Sequence, residues 1–494
     1  MNLPKLILEV LLMKRKTPKK ILCVFFSFLF LFSTCAVSSY ASGTGKAAAS
    51  TAVSGTGKDF IITNPYASVN WNTWKAYKTQ LHCHTNASDG YLTIKQFVQL
   101  NYDLGYDIVA LTDHGTLNLG WNKTPQLVPL IRLVKYERTK LAPIVPLTDA
   151  EYNSYINGTA ATTNGTVRQN GMLDVPLGIE LNAATPVADC HLTGYFGNYG
   201  QGKIGVFGDY ETPAAGEKAA GGLSMLAHVG EFVFLNKDWA AHAGQPVDNY
   251  YADKFARIFL DDAGSCVGMG VNSGDDSHTM NDRILYDQIL QKTIPDGVVP
   301  WAYTFADAHD WPDFSRAYTM QLMPELTLSA FKTSMINGTF FSVSKYSDGV
   351  ELNGMTELPA GYVTDNSLKA PMVTSVSVNQ DKDTITITGT DFNQITWVSN
   401  GNVIARGMNC TTLSLNDFTN QIGCYVRFYI TGPGGICYSQ PFVINVKGVT
   451  MAPVTVPQTH DLSTFLRGLV TVLDKLVFQH SIIIKLFKKI AMGY

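Results

Sequence analysis

Little surplus charge of either sign and few cysteines are found in this chain, and each scarcity removes a class of function. A net charge of -3 over 494 residues, with both signs interspersed, leaves no basic face for a phosphate backbone. Nucleic acid is therefore not an expected partner. Eight cysteines in a chain of this length do not make a disulfide scaffold. Hydrophobic content, at 46 %, is ordinary for a globular protein. The exception is the start, where Lys14, Arg15, Lys16, Lys19 and Lys20 precede the apolar run "ILCVFFSFLFLFSTCAVSSYASG". That layout predicts an export signal over 1–41, cut after Ser39-Tyr40-Ala41, and so a secreted or cell-surface protein. The alternative is an uncleaved anchor, since the run is near the lower limit for a membrane span. Removal of the signal leaves Cys83, Cys190, Cys266, Cys410, Cys424 and Cys437. The last three cluster, and a bridge between one pair of them is open, without a choice of pair.

What is present divides the chain. Residues 42–59, with "SGTGK" near both ends, read as a flexible linker. From 60 to 350 short apolar runs alternate with glycine-containing turns and helical segments. In "LTIKQFVQLNYDLG", Thr93 and Gln96 have capping-box spacing, Ile94, Phe97 and Val98 share a helical face, and Gly105 marks the stop. A buried strand at Ile108 to Thr112 follows, so the order strand, helix, strand predicts a parallel α/β layout. Residues 368–447 change texture: "TITITG" alternates with period two, and Asn400-Gly401 sits between β-rich flanks as a hairpin turn. A small Ig-like β-sandwich is expected there, with Trp397 in its core. Residues 458–494 read as an amphipathic helix whose apolar positions, from Leu462 to Ile490, step by four and three. Its wide stripe and its basic end at Lys485, Lys488 and Lys489 leave three roles open: membrane-surface contact, self-association, or docking onto the body.

Chemistry enters with "LHCHTNASDG", residues 81–90. In extended chain, side chains at i and i+2 point the same way, so His82 and His84 can reach one point while Cys83 faces away. Two imidazoles beside Asp89 suit a divalent first-row metal. Other polar residues stand at the ends of apolar runs in the same manner: Asp113 and His114 in "DIVALTDHG", Glu180 in "VPLGIELN", His191 in "VADCHLTGY", His228 in "GGLSMLAHVG", and Asp276 and His278 in "VGMGVNSGDDSHT". Gathering polar residues at strand carboxyl ends is the arrangement of an α/β barrel's active face.

Taken in order, "HCHTNASDG", "LTDHG", "GIEL", "HLTGY", "LAHVG" and "GDDSH" resemble the successive motifs of the polymerase-and-histidinol-phosphatase (PHP) superfamily. More narrowly, the chain resembles exported members grouped with the carbaryl-hydrolase type. The resemblance covers about residues 75–345 and implies a distorted seven-stranded β/α barrel with up to three divalent ions (Zn, Mn or Fe). The ligands it implies are His82, His84, Asp89, His114, Glu180, His191, His228, Asp276 and His278. Asp113, before a ligand histidine, would orient a ring or hold a bound water. The implied activity is hydrolysis by a metal-bound hydroxide. The leading reading is a phosphoesterase; the alternative is a carbamate, amide or carboxylic-ester hydrolase, on a small molecule or a surface polymer. Arg283, with Arg168, is a candidate for binding a substrate anion at the mouth. A third reading makes the chain a surface binding protein, with Trp397, Tyr425, Phe428 and Tyr438 of the sandwich as glycan-binding aromatics.

Overall fold

The computed structural model describes residues 58–127, 136, 139–182, 191–199, 210–231, 246–273, 276–345 and 364–457. The expected signal, nearly all of the linker and the expected C-terminal helix lie outside these residues. In chain order the elements begin with β1 (Phe60–Thr63), β2 (Lys75–Gln80), α1 (Ile94–Asp103), β3 (Ile108–Ala110), α2 (Asp149–Ile156), β4 (Leu173–Val175), β5 (Ile179–Asn182) and β6 (His191–Tyr195). Next come α3 (Glu211–Ala219), β7 (Leu223–Leu226), α4 (Asn249–Asp261), β8 (Cys266–Ser273), α5 (Asp276–Thr293), β9 (Trp301–Phe305), β10 (Ala317–Met323), α6 (Leu328–Asn337) and β11 (Phe340–Ser344). The carboxyl-terminal strands are β12 (Met372–Asn379), β13 (Thr384–Thr390), β14 (Gln394–Ser399), β15 (Asn402–Gly407), β16 (Thr412–Ser414), β17 (Tyr425–Gly432), β18 (Gly435–Tyr438) and β19 (Phe442–Val446). Among the described residues no helix is long and apolar enough to cross a membrane.

Local chemistry explains the first unit. Thr93 accepts from the Gln96 amide while the Gln96 side chain accepts from Thr93, closing the capping box of α1. Ile94, Phe97 and Val98 bury one face, and Gly105 takes the left-handed φ of 78° that ends the helix run. β3 then runs buried and parallel to β2, and β4 parallel to β3. β7, β8 and β9 are also mutually parallel. The strand β6 departs from the expected parallel layout: it is antiparallel to both β5 and β7. His191 therefore stands at the start of its strand rather than the end, and the reversal brings it to the same rim as His228, just beyond β7.

Two bridges join these sheets at that rim. Cys83 pairs with Ala308, beyond β9, and His114 pairs with Glu180 of β5. β4 and β5 are interrupted only by Pro176, Leu177 and Gly178, so the chain passes there from one sheet into the other. The pairings then run in a ring, β2, β3, β4/β5, β6, β7, β8 and β9, that closes only at the Cys83–Ala308 bridge beyond β9 and β2.

The carboxyl-terminal strands do not stand apart from this ring. β14 and β15 form the expected hairpin, with Asn400 and Gly401 both at positive φ. β18, however, pairs with β11, so one sheet continues from β2 and β10 into β17 and β14. β1, expected to open the barrel region, pairs instead with β19. The Gln440 side chain extends the union by exchanging two hydrogen bonds with the Ala302 backbone on β9, at 2.8 and 2.9 Å. Trp397 is buried as expected, and its indole donates to the Cys410 carbonyl at 2.7 Å. Tyr425, Phe428 and Tyr438 are buried with it, which removes the exposed aromatics that a glycan-binding sandwich would need. Cys410, Cys424 and Cys437 are free thiols, as are Cys83 and Cys266.

Far from the rim, α3 inserts a carboxyl into the packed interior. Glu217 is fully buried, and among the described residues neither carboxyl oxygen has a hydrogen-bond partner. Gly194, Gly197 and Gly222 make the room, since a Cβ at any of them would come within 2.7 Å of a Glu217 oxygen. Burial pushes this carboxyl up to about 9. A raised carboxyl holds its proton in the folded chain while the unfolded chain loses it near pH 4.3. Stability is therefore full below about pH 4.3 and falls by about 1.4 kcal/mol per pH unit toward pH 9. Glu217→Gln removes the slope. Urea unfolding should show the variant more stable by a few kcal/mol at pH 8 and unchanged at pH 4. Equal effects at both pH values would contradict this assignment.

Candidate metal centre

The rim gathers most of the side chains singled out from the sequence around one carboxylate. Glu180, fully buried on β5, has Oε2 2.6 Å from His114 Nδ1 and 3.3 Å from His84 Nε2. Its Oε1 lies 2.8 Å from His191 Nδ1, 3.5 Å from His82 Nε2 and 3.6 Å from His228 Nε2. Asp89 stands on the other side of His84 and His114, at 3.7 and 3.5 Å. The i, i+2 geometry holds: His82 and His84 converge, while the Cys83 thiol turns into the core and donates to the Ala110 carbonyl.

Two further residues, not singled out from the sequence, complete the cluster. Asp307 Oδ1 lies 3.2 Å from His82 Nε2 and 3.1 Å from His84 Nε2, and Oδ2 lies 3.6 Å from His228 Nε2. His309 Nε2 lies 3.4 Å from Asp89, and its ring stacks on His84 at 4.2 Å between centroids. Both follow β9 in "YTFADAHD", an apolar run ending in Asp-x-His, which is the signal that identified Asp113 and His114. Three overlapping groups result: His84, Asp89, His114 and His309; His82, His84 and Asp307; His82, Glu180 and His228. Within each, one donor atom per residue lies within 4.8 Å of the others. Asp276 and His278 open α5 directly beyond β8, but their side chains lie outside the described residues.

Hydrogen bonding around the cluster fixes the orientation of its imidazoles. The Thr112 hydroxyl donates to the Cys83 carbonyl, so toward His82 Nδ1, 3.0 Å away, it accepts. Ser88 donates to Asp113 at 2.8 Å, so toward His84 Nδ1, 3.3 Å away, it also accepts. Burial, then the neighbouring His309 and His114, push the His84 imidazole down to about 3, which leaves it neutral with one ring hydrogen. His84 Nε2 and His82 Nε2 meet the same Asp307 oxygen, at 3.1 and 3.2 Å, the first of these a hydrogen bond. Among the described residues His82 Nε2 is buried without a hydrogen-bond partner, while Glu180 Oε2 lies at hydrogen-bond distance, 2.6 Å, from His114 Nδ1. Imidazole nitrogens and carboxylate oxygens that converge at about 3 Å fit a shared cation in place of the hydrogens between them, and this donor set fits divalent transition metals.

The electrostatics agree. Burial would raise the Glu180 carboxyl, but His114, His191 and His82 override it and hold it well below the usual range. Asp307 is likewise held low against its burial, chiefly by His82 and by its contact with His84. The backbone is strained at the same place, with His228 at φ 28° and Asp307 at φ 46°.

Asp113 touches none of these imidazoles directly. It is buried and accepts from the Thr85 amide at 2.7 Å, the Thr85 hydroxyl at 2.8 Å and Ser88. It thus anchors the loop that carries His84 and Asp89. Asp113→Asn replaces one acceptor oxygen with a donor, and metal affinity should fall by about 10–100-fold with the fold retained. Metal titration monitored by circular dichroism checks this; loss of one equivalent with the rest bound at full affinity would make Asp113 a ligand instead.

The two arginines fall elsewhere. Arg168 pairs with Asp107 at 2.9 Å and donates to the Tyr102 and Tyr106 carbonyls. Asp107 precedes β3, so this contact is at the opposite end of the strand from His114. Arg283 is 1 % exposed and donates to the Val271 carbonyl of β8, so it does not project at a solvent-facing mouth.

No family model and no curated protein matches the sequence. Solved structures similar to the chain include a two-domain protein from Bacteroides vulgatus containing a predicted PHP-like metal-dependent phosphoesterase. It is 14 % identical, with a TM-score of 0.37, over 78 % of this chain and 94 % of that one. Also similar are an amidohydrolase from Chromobacterium violaceum (15 % identity, TM-score 0.26) and a putative metal-dependent phosphoesterase from Bifidobacterium adolescentis (14 %, TM-score 0.27). Each of these two covers 47 % of this chain and 87 % of its own. Likeness at this level fixes neither family nor activity.

Proposed function

We propose that the chain is a metal-dependent hydrolase of the PHP type, with the ring of pairings as its distorted barrel. The observation that carries the reading is the convergence of imidazole nitrogens from separate strands and loops on the two carboxylates, Glu180 and Asp307. The three overlapping groups would hold up to three ions, with His191 beside Glu180 and Asp276 and His278 as further proposed ligands. Bound divalent ions supply Lewis acidity and a water that ionises near neutral pH. The chain's own part is to orient His82 and His84 through Thr112 and Ser88, and to balance the ions with Glu180, Asp89 and Asp307. Asp89, Asp307 and His309 are between 23 and 27 % exposed, so the cluster opens to solvent on that side.

The bond cleaved is proposed to be a phosphoester, because clustered cations neutralise a phosphoryl oxygen without help from arginine. The placement of Arg168 and Arg283 away from the opening favours the second reading, a carbamate, amide or carboxylic ester. Metal-reconstituted protein should be assayed on phenyl phosphate, phenyl acetate and phenyl carbamate. Metal-dependent turnover of the phosphate alone supports the first reading, and turnover of the others alone supports the second. No turnover of any would remove the hydrolase reading. Export remains part of the proposal, on the basic-then-apolar start. So does contact with a membrane face or self-association through 461–494, which vesicle sedimentation and chain mass would separate.

A further inference from the structure

We infer that a cavity bounded by β2, β10 and the segment that enters β12 binds a small organic anion with an apolar body, at a site separate from the metal centre. The inference does not depend on the hydrolase reading. The cavity holds about 520 Å³, the size of a small-molecule site. Three lysines line it: Lys78 of β2, Lys345 directly beyond β11, and Lys369 ahead of β12. Among the described residues that line it, Asp391 is the one acidic residue set against them. The Lys78 amide donates to Asp107, which precedes β3, so the cavity lies away from the rim at the carboxyl ends of the strands.

The lysines keep donors available for a ligand. An ammonium carries three N–H donors. Lys78 directs one to the Leu104 carbonyl at 3.0 Å, and Lys345 directs one to the Asn366 carbonyl at 2.8 Å. The nearby carboxylates are engaged elsewhere. Asp107 holds Arg168 with Oδ1 and the Lys78 amide with Oδ2, while Asp365 accepts from the amide and hydroxyl of Ser367. The rings of Tyr106 and Tyr318 fix the Lys78 ammonium, which stands 4.0 and 4.7 Å from their centroids. Burial, then repulsion from Lys345, push this ammonium down to about 8. An anion beside the two lysines offsets both effects through charge-assisted hydrogen bonds. Leu104, Met320 and Met372 supply apolar wall, which suits a hydrocarbon body behind the anionic head.

The test uses the full chain, metal-loaded, titrated by calorimetry with hexanoate, hexylphosphonate, hexanol and acetate. At least one of the two hexyl anions should bind tenfold or more tightly than hexanol and than acetate, that is, by about 1.4 kcal/mol. Lys345 is half-buried and Lys369 exposed, so Lys345→Gln/Lys369→Gln should fold as the wild type does. It should bind that anion at least about tenfold more weakly with metal content and turnover unchanged, and Lys78→Met should weaken it likewise. No binding of either hexyl anion, or hexanol or acetate bound as tightly, would overturn the inference. So would an affinity that survives the lysine substitutions, since the anion would then sit at the metal centre. Failure of the hydrolase reading looks different: no ester is turned over, yet the lysine-dependent binding remains.

Discussion

Glu180→Gln is expected to lower hydrolysis by on the order of a thousandfold, beyond the ~10–100-fold that loss of an outer partner costs. The carboxylate faces five imidazoles, and an amide in its place is neutral and turns a donor toward at least one of them. Metal affinity should fall with the rate, because one side chain serves both. The metal-free protein gives a separate readout. The His114 imidazole is held well above its ordinary range against its burial, first by Glu180 and then by Asp89. It should titrate lower in the variant, which proton NMR of the ring would show. A variant that binds metal normally and turns over normally would remove Glu180 from the centre.

Arg427→Ala should cost about 3–5 kcal/mol of stability, the largest effect expected from a residue outside the rim. Arg427 on β17 grips Asp287 of α5 with two bonds, Nε to Oδ1 at 2.8 Å and Nη2 to Oδ2 at 2.6 Å, and Tyr425 adds a third at 2.6 Å. Both charged side chains are buried, so removal of the guanidinium strands a carboxylate. Replacing both partners, as in Asp287→Leu with Arg427→Met, should recover much of the loss. Urea unfolding of the single and double variants checks this; a single variant within about 0.5 kcal/mol of wild type would contradict it. The same pair ties residues 60 to about 350 to the strands that follow them. A chain ending near 355 loses Arg427, leaves β11 without β18 and uncaps Ala302, so we expect it not to fold.

Much of the centre was legible because its signals are local. The spacing of His82 and His84 fixes their common direction, and the capping box at Thr93 and the turn at Asn400-Gly401 need only a few residues each. Asp307 and His309 carry the same run-then-polar signal in "YTFADAHD", but they lie beyond "GDDSH" and outside the motifs that carry the resemblance. Long-range pairing left no such mark. Nothing in "FIIT" names β19 as the partner of β1, and nothing in "GICY" names β11 as the partner of β18. Periodicity reports which face of a strand is buried, and not which strand lies beside it. The arginines show the same limit, since charge in a sequence does not reveal whether a guanidinium meets solvent or a buried carbonyl.

The central claim is that the rim cluster is a metal centre on which hydrolysis depends. Elemental analysis of the purified chain, before and after chelation, with turnover measured on the same samples, tests it most directly. We predict more than one equivalent of divalent transition metal per chain, loss of turnover on chelation and recovery on reloading. A chain free of metal that hydrolyses at the full rate would contradict it.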